Sequence, residues 1–443
     1  VTVPRKELSL FDSTCIIVGI IIGAGIYETA PTVAGCMGGW ASLLGIWLLG
    51  GLLALAGALC YAELATAWPQ AGGDYVYLSR AYGSWAGYLF GWSQLVIIRP
   101  GDIALMAFVF ARYAQTLYAP FENGRPLYAA AAVVVLTAIN ILGIREGKWT
   151  QNLLTVLKAL GLIAIIVAGL MAPGRPPAPD EPAAFTTGGL KLALILVLFT
   201  FGGWNEMAYV AGEVKRPQRN IVRALVLGTT GVTALYLLAN GAFLHALGFA
   251  KMAASQAVAV DALATVFPET AGKAISILIC ISTLGAVNGL VLTGARISYA
   301  MGTGHATFRA LGRWNPRFSG PVRALVVQGC LSLAIVLLAG SFIDTILYTA
   351  PVVWVFFLAT GLSVFVLRRK DPGTPRPYRV TGYPVTLIIF CACCVFMVYS
   401  SMSYALANRP VGLLALSGVL LAGVLVYLFV DVRRSAQRQR PAD

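Results

Sequence analysis

Two short strings in this chain place glycine where an apolar helix would otherwise run unbroken: VGIIIGAGIY, around Gly23 and Gly25, and LFTFGGWNE, around Gly202 and Gly203. Glycine admits left-handed and extended conformations and lets a ligand approach the main chain. Where a helix unwinds away from water, its freed N–H and C=O groups must bind something. A zwitterionic amino acid supplies both complements: a carboxylate for the N-terminus of one half-helix and an ammonium for the carbonyls released by the other. Either string alone could serve close helix packing. Two of them, in corresponding places five helices apart, point instead to a carrier's binding site near the midplane of a membrane. The run from Gly23 to Glu28 also imitates a dinucleotide-binding fingerprint, but Glu28 takes the sixth position and no strand precedes it.

Charges inside apolar runs are the second signal. Lys158 lies too far from either end of its run to reach water, so a partner or a pathway is expected. Arg99 and Asp102, three apart, are expected to pair on one helix face as structural support, and Arg112 to snorkel outward. Glu28, just past the first break, either faces an outer vestibule or titrates during transport. Glu63, with the adjoining loop PQAGGDYVYL, reads equally as an inner gate or a loop anchor. With only His245 and His305 in the chain, no metal centre and no cofactor are expected. Neither a catalytic Ser–His or His–Asp pair nor a repeated carbonyl filter emerges, which argues against a membrane-embedded enzyme and against a channel.

The elements that must position these residues are helices in a bilayer. A chain that is 58% hydrophobic and 11% charged, with mean hydropathy +0.79, cannot be hidden inside soluble cores. About twelve apolar stretches approach or exceed the roughly 20 residues that span a bilayer. They run over 12–37, 40–67, 86–117, 127–144, 150–171, 189–211, 221–246, 273–299, 322–340, 343–368, 383–404 and 410–431. No stretch between them is long enough for a soluble domain, so residues 1–443 read as a single transmembrane domain. The net charge of +14 would suggest nucleic acid in a soluble protein. Here the basic residues cluster at Arg5 and Lys6, Arg80, Arg145 and Lys148, Lys215 to Arg223, Arg309 to Arg323, Arg368 to Arg379 and Arg433 to Arg440, in alternate loops and the termini. That is the positive-inside pattern: lipid is the partner, nucleic acid is not, and both termini are expected in the cytoplasm. The Pro-rich segment from Pro173 to Phe185 is then outside, and Phe249 to Ala271 is expected as short helices over the outer face. The cysteines fall mostly inside apolar runs and read as small embedded side chains rather than disulfides.

Several strings, in order over nearly the whole chain, resemble the amino acid-polyamine-organocation (APC) superfamily and, within it, the L-type amino acid transporter (LAT) family. They are IIVGIIIGAGIY, YAELATAWPQAGGDYVYL, IRPGDIALMAF, QNLLTVLK, LFTFGGWNEMAYVAGEVKRPQRNI, GAVNGLVLTGAR and PRPYRVTGYP, the fifth being the most specific. The resemblance implies an all-α polytopic membrane protein of LeuT type. In it, residues 12–171 and 189–368 form a 5+5 inverted repeat, 383–431 add two helices, and helices 1 and 6 are broken. It implies that the substrate ammonium meets carbonyls of Ile21 and Phe199, and that the carboxylate meets N–H groups of Ala24 and Gly25. Family members often have Ser at the place of Ala24, so one hydroxyl contact is missing here. Phe199 matches the aromatic that closes over the substrate, Gly202 and Gly203 line the unwound strand, and Trp204 and Asn205 brace it. Lys158 stands in for a sodium ion, bridging helix 1 carbonyls and a hydroxyl of helix 8 from Ser282 or Thr283.

The activity so implied is sodium-independent transport of small neutral L-amino acids by alternating access, as obligatory exchange, in a bacterial inner membrane. Proton-coupled symport through Lys158 or Glu28 is the rival within the class. Neutral substrates are expected because Gly202 stands where related carriers of cationic amino acids can present an acid; Glu206, one turn on, is expected to face away from the pocket. Eukaryotic members are disulfide-linked to a heavy chain through a cysteine in the loop after helix 3. The corresponding loop, Tyr118 to Leu127, has none, so no such partner is expected.

Overall fold

The computed structural model describes residues 5–120, 124–173, 187–338, 342–408 and 410–432, and among them every extended element is a helix. Ser9 starts the first one: its hydroxyl accepts the N–H of Asp12, and the Asp12 carboxylate accepts the N–H of Ser9. This capping box opens α1 (Leu10–Ile21). Residues 22–24 then interrupt the helix, α2 (Gly25–Gly35) follows, and the axis bends by 48° between the two. After α3 (Trp40–Ala67), the segment expected as a loop holds α4 (Asp74–Tyr82). Gly73, at φ +48°, turns the chain into it, and nine residues are too few to register as a separate apolar period. α5 (Ser84–Ser93) continues into α6 (Arg99–Leu117) through a π turn over Gln94–Ile98. α7 (Arg125–Leu142) and α8 (Ile144–Met171) follow.

α9 (Thr187–Thr200) carries the second break. Residues 201–205 form turns, and the chain resumes as a 3-10 helix, Glu206–Glu213, rather than as an α-helix. Beyond it come α10 (Pro217–Leu247), the short α11 (Phe249–Ala254) and α12 (Val258–Ala264), α13 (Ala271–Gly304), α14 (Val322–Leu338), α15 (Phe342–Lys370), α16 (Val385–Asn408) and α17 (Pro410–Val426). By length and composition, 8 helical runs among the described residues can cross a membrane, and 9 if α1 and α2 count as one bent span. Three shorter apolar helices lie at Gly188–Thr200, Val322–Leu337 and Leu416–Phe429. The protein is an all-α, multi-pass membrane protein. The segment expected outside lies, from residue 174 on, outside the described residues.

The two interrupted helices sit at the centre. α1 packs on α8, α10 and α13, while α2 packs on α9, α11 and α12. At the end where α1 begins, the chain is tied shut. The Glu213 carbonyl accepts the N–H groups of Glu7 and Leu8, both at 2.9 Å, and the Leu8 carbonyl accepts that of Lys215 at 2.8 Å. Arg296 of α13 grips the Glu213 carboxylate through two nitrogens at 2.8 and 3.1 Å, and both side chains are buried. Beside them Asp12 accepts from Asn152 at 2.6 Å and pairs with Lys148 at 3.4 Å. The Glu63 carboxylate takes Arg368 at 2.8 and 2.6 Å and the Val380 N–H at 2.7 Å, joining α3 to α15 and the loop beyond.

Candidate functional site

At the first break, α1 ends with released carbonyls and α2 begins with unclaimed N–H groups. The Gly19 and Ile22 carbonyls accept from the Lys158 ammonium at 2.7 and 2.9 Å, and the third ammonium proton goes to the Ser282 carbonyl of α13 at 2.7 Å. Lys158 is fully buried, its three donors have three acceptors, and the negative end of the α1 dipole faces its charge. Gly285 makes the room: a Cβ there would lie 2.8 Å from the Lys158 Nζ. The contact with α13 differs from expectation in its atoms. Lysine takes the Ser282 backbone, whereas the Ser282 hydroxyl donates to the Ile22 carbonyl at 2.8 Å and approaches that of Gly23 at 3.3 Å. Thr283 takes no part, because its hydroxyl bonds carbonyls of its own preceding turn.

The Ile21 carbonyl is occupied by protein donors, the Tyr236 hydroxyl and the Gly23 N–H, each at 2.8 Å. On the far side of the break, Ala24 caps α2 without a side-chain bond, and the N–H groups of Ala24, Gly25 and Ile26 have no acceptor among the described residues. They form the positive end of an 11-residue helix, suited to an anion.

The second break lies against the first. Gly203, at φ +108°, takes a conformation that side chains disfavour, and a Cβ on it would lie 2.5 Å from the Ile20 Cγ2. A Cβ on Gly25 would come within 3.0 Å of Thr200, whose hydroxyl meets that of Thr29 at 3.0 Å. Trp204 is buried edge-on against Tyr61 and Phe390, and the Asn205 amide donates to the Tyr209 hydroxyl at 2.8 Å, so both brace the turn. The Phe199 carbonyl accepts the Gly202 N–H at 2.9 Å, while its ring stays 38% exposed at the edge of the space between the breaks.

That space is a cavity of about 190 Å³. Ile20, Ile21, Gly23 and Gly25 line it from the first break, residues 198–200 and 202–206 from the second, Arg99, Asp102 and Met106 from α6, and Ala286, Leu290, Trp354 and Phe357 from α13 and α15. Arg99 and Asp102 share this wall but do not pair. Arg99 binds the Glu206 carboxylate at 2.7 Å and Gln94 at 3.1 Å, and it lies over the Tyr209 ring. The other Glu206 oxygen accepts from Thr293 at 2.7 Å. The expectation that Glu206 faces away from the pocket is therefore overturned. The chain past the second break is a turn and a 3-10 helix, which re-aims the side chain that a continued α-helix would have carried elsewhere.

Outside the cavity, Glu28 of α2 meets Arg112 and Tyr113 of α6 on an exposed face. Arg112 thus has a specific partner instead of merely reaching for water. The Arg296–Glu213 pair was not anticipated; a lone arginine closing an apolar run and an acid shortly after a break were its signals in the sequence. All 8 cysteines are free, and no group of His, Cys, Asp and Glu among the described residues is fit to hold a metal ion.

Residues 8–426 match the amino acid permease family. The chain is 31% identical over 436 residues to the serine/threonine exchanger SteT of Bacillus subtilis (strain 168), covering 98% of each protein. It is 33% identical over 389 residues to the human b(0,+)-type amino acid transporter 1, covering 85% of this chain and 79% of that protein. To the human large neutral amino acids transporter small subunit 2 it is 31% identical over 443 residues, covering 96% of this chain and 80% of that protein.

Proposed function

The chain belongs to the amino acid permease family, in the LAT branch of the APC superfamily, and from this premise we propose how it works as an amino acid transporter. It exchanges small neutral amino acids across the cell membrane, one for another, without sodium, by alternating access around the cavity between its breaks. The observation that carries this reading is the pairing at that cavity of unclaimed N–H groups at the start of α2 with a second unwound segment. The α2 N-terminus takes the substrate carboxylate, and carbonyls of the second break around Phe199 take its ammonium. With the Ile21 carbonyl already holding two donors, its share in ammonium binding requires that Tyr236 give way.

Sodium independence follows from Lys158, whose ammonium already satisfies the carbonyls that would otherwise draw a cation. The architecture proposed is twelve spans of LeuT type: the bent α1–α2 span, the 8 long runs and the three shorter apolar helices. Residues 12–171 and 189–368 are its inverted halves, and both termini lie in the cytoplasm. The sealed end where α1 begins then faces the cytoplasm, and the Glu28 face looks outward. The chain is proposed to act without a disulfide-linked heavy chain, since the loop after α6 offers no cysteine. The test is uptake of labelled alanine or serine into proteoliposomes with and without internal amino acid, under imposed sodium and pH gradients. Uptake that needs internal amino acid and ignores both gradients is expected; uptake into empty vesicles driven by a proton gradient would replace exchange by symport.

A further inference from the structure

The central cavity holds one carboxylate, that of Asp102, with no hydrogen bond and no ion pair among the described residues. Asp102 lies on α6 one turn beyond Arg99 and lines the cavity. Its oxygens are not sealed from the cavity. Arg99, the cation nearest in sequence, is bound to Glu206, and both Glu206 oxygens are taken. The charged residues lining the cavity are these three, two acids against one base. We propose that Asp102 reads the substrate's side chain: it pairs with a cationic one, tolerates a small neutral one and rejects a bulky apolar one.

Solvation sets this preference, on the reading that the cavity exchanges amino acids. While the cavity is wet, Asp102 keeps its hydration. Closing over a substrate removes that water, and a charge left unpaired in a low-dielectric site is strongly unfavourable. An ammonium or guanidinium on the side chain replaces the water with a charge-assisted hydrogen bond. A side chain as short as that of alanine or serine leaves room for a water to stay and bridge. A leucine side chain fills that room with carbon and strands the carboxylate. The acid that Gly202 does not supply is thus supplied by α6, which widens the substrate range beyond the neutral amino acids.

The experiment is competition for exchange of labelled alanine in alanine-loaded proteoliposomes. In the wild type, lysine and ornithine should compete about as well as serine, and leucine roughly tenfold worse, the scale set by a buried polar group left unpaired. Asp102→Asn should shift the lysine-to-leucine ratio of inhibition constants by roughly tenfold in favour of leucine, and Asp102→Glu should keep the wild-type order. If Asp102→Asn is inactive in exchange, thermal-shift titrations of purified wild type and variant with lysine and leucine read the same ratio. A wild type that exchanges alanine yet ignores excess lysine, or a ratio unchanged in Asp102→Asn, overturns the proposal and leaves exchange intact. Failure to exchange any amino acid overturns the exchange reading itself.

Discussion

Lys158 carries its charge without a carboxylate among the described residues, held by three carbonyl dipoles from two helices. Removing it takes the ammonium from the Gly19 and Ile22 carbonyls, leaves the Ser282 hydroxyl as the donor that still ties Ile22 to α13, and loosens α1 from α8 and α13. Lys158→Ala should still reach the membrane, but its uptake into empty vesicles should rise relative to exchange. An unchanged ratio would make Lys158 a packing residue. Phe199→Ala should lower transport efficiency by about tenfold, near 1.4 kcal/mol, with little change in protein abundance; unaltered apparent affinity and rate would remove the ring from closure. Arg296 and Glu213 make the opposite kind of pair, two full charges buried together. Arg296→Ala strands a buried acid and should cost about 3–5 kcal/mol, whereas Arg296→Met with Glu213→Leu should recover most of that loss. Thermal unfolding in detergent distinguishes the two. Lys158 was legible in the sequence because a charge in mid-span is rare. The partner of Arg99 was not: spacing along one helix favours Asp102, and only the approach of the second break brings Glu206 within 2.7 Å.

The long helices were readable almost to their ends, since each is one apolar run; α3 was expected over 40–67 and spans Trp40–Ala67. What composition could not convey is how the chain resumes after a break. Glycine at 202 and 203 announces an interruption, but whether an α-helix or a 3-10 helix follows depends on packing against α1, α10 and α13. The π turn before Arg99 is equally silent, being as apolar as its flanks. The second break depends on Gly203 twice, through its positive φ and its contact with Ile20. Gly203→Ala should therefore destabilise by about 1–3 kcal/mol and abolish most exchange. Gly231→Ala is the matched control: it lies within α10 with open space around it, so it should be neutral or stabilise by up to about 1 kcal/mol. Equal behaviour of the two variants would show that the turn does not require glycine.

For the protein entire, the arrangement of basic loops predicts that reporters inserted between Pro173 and Phe185 face outside and reporters at either terminus face inside. A cytoplasmic signal from the inserted segment would sink the twelve-span topology. The charge bound at the first break has a consequence for what such a carrier can accomplish in a cell. Lys158 is fixed to α8, so its cation is never released to either compartment, and no gradient of that cation performs work. If the substrates are exchanged one for one, each amino acid gained is an amino acid lost. The protein would then transmit the gradient of one amino acid into the gradient of another, changing the composition of the internal pool while leaving its total to other carriers.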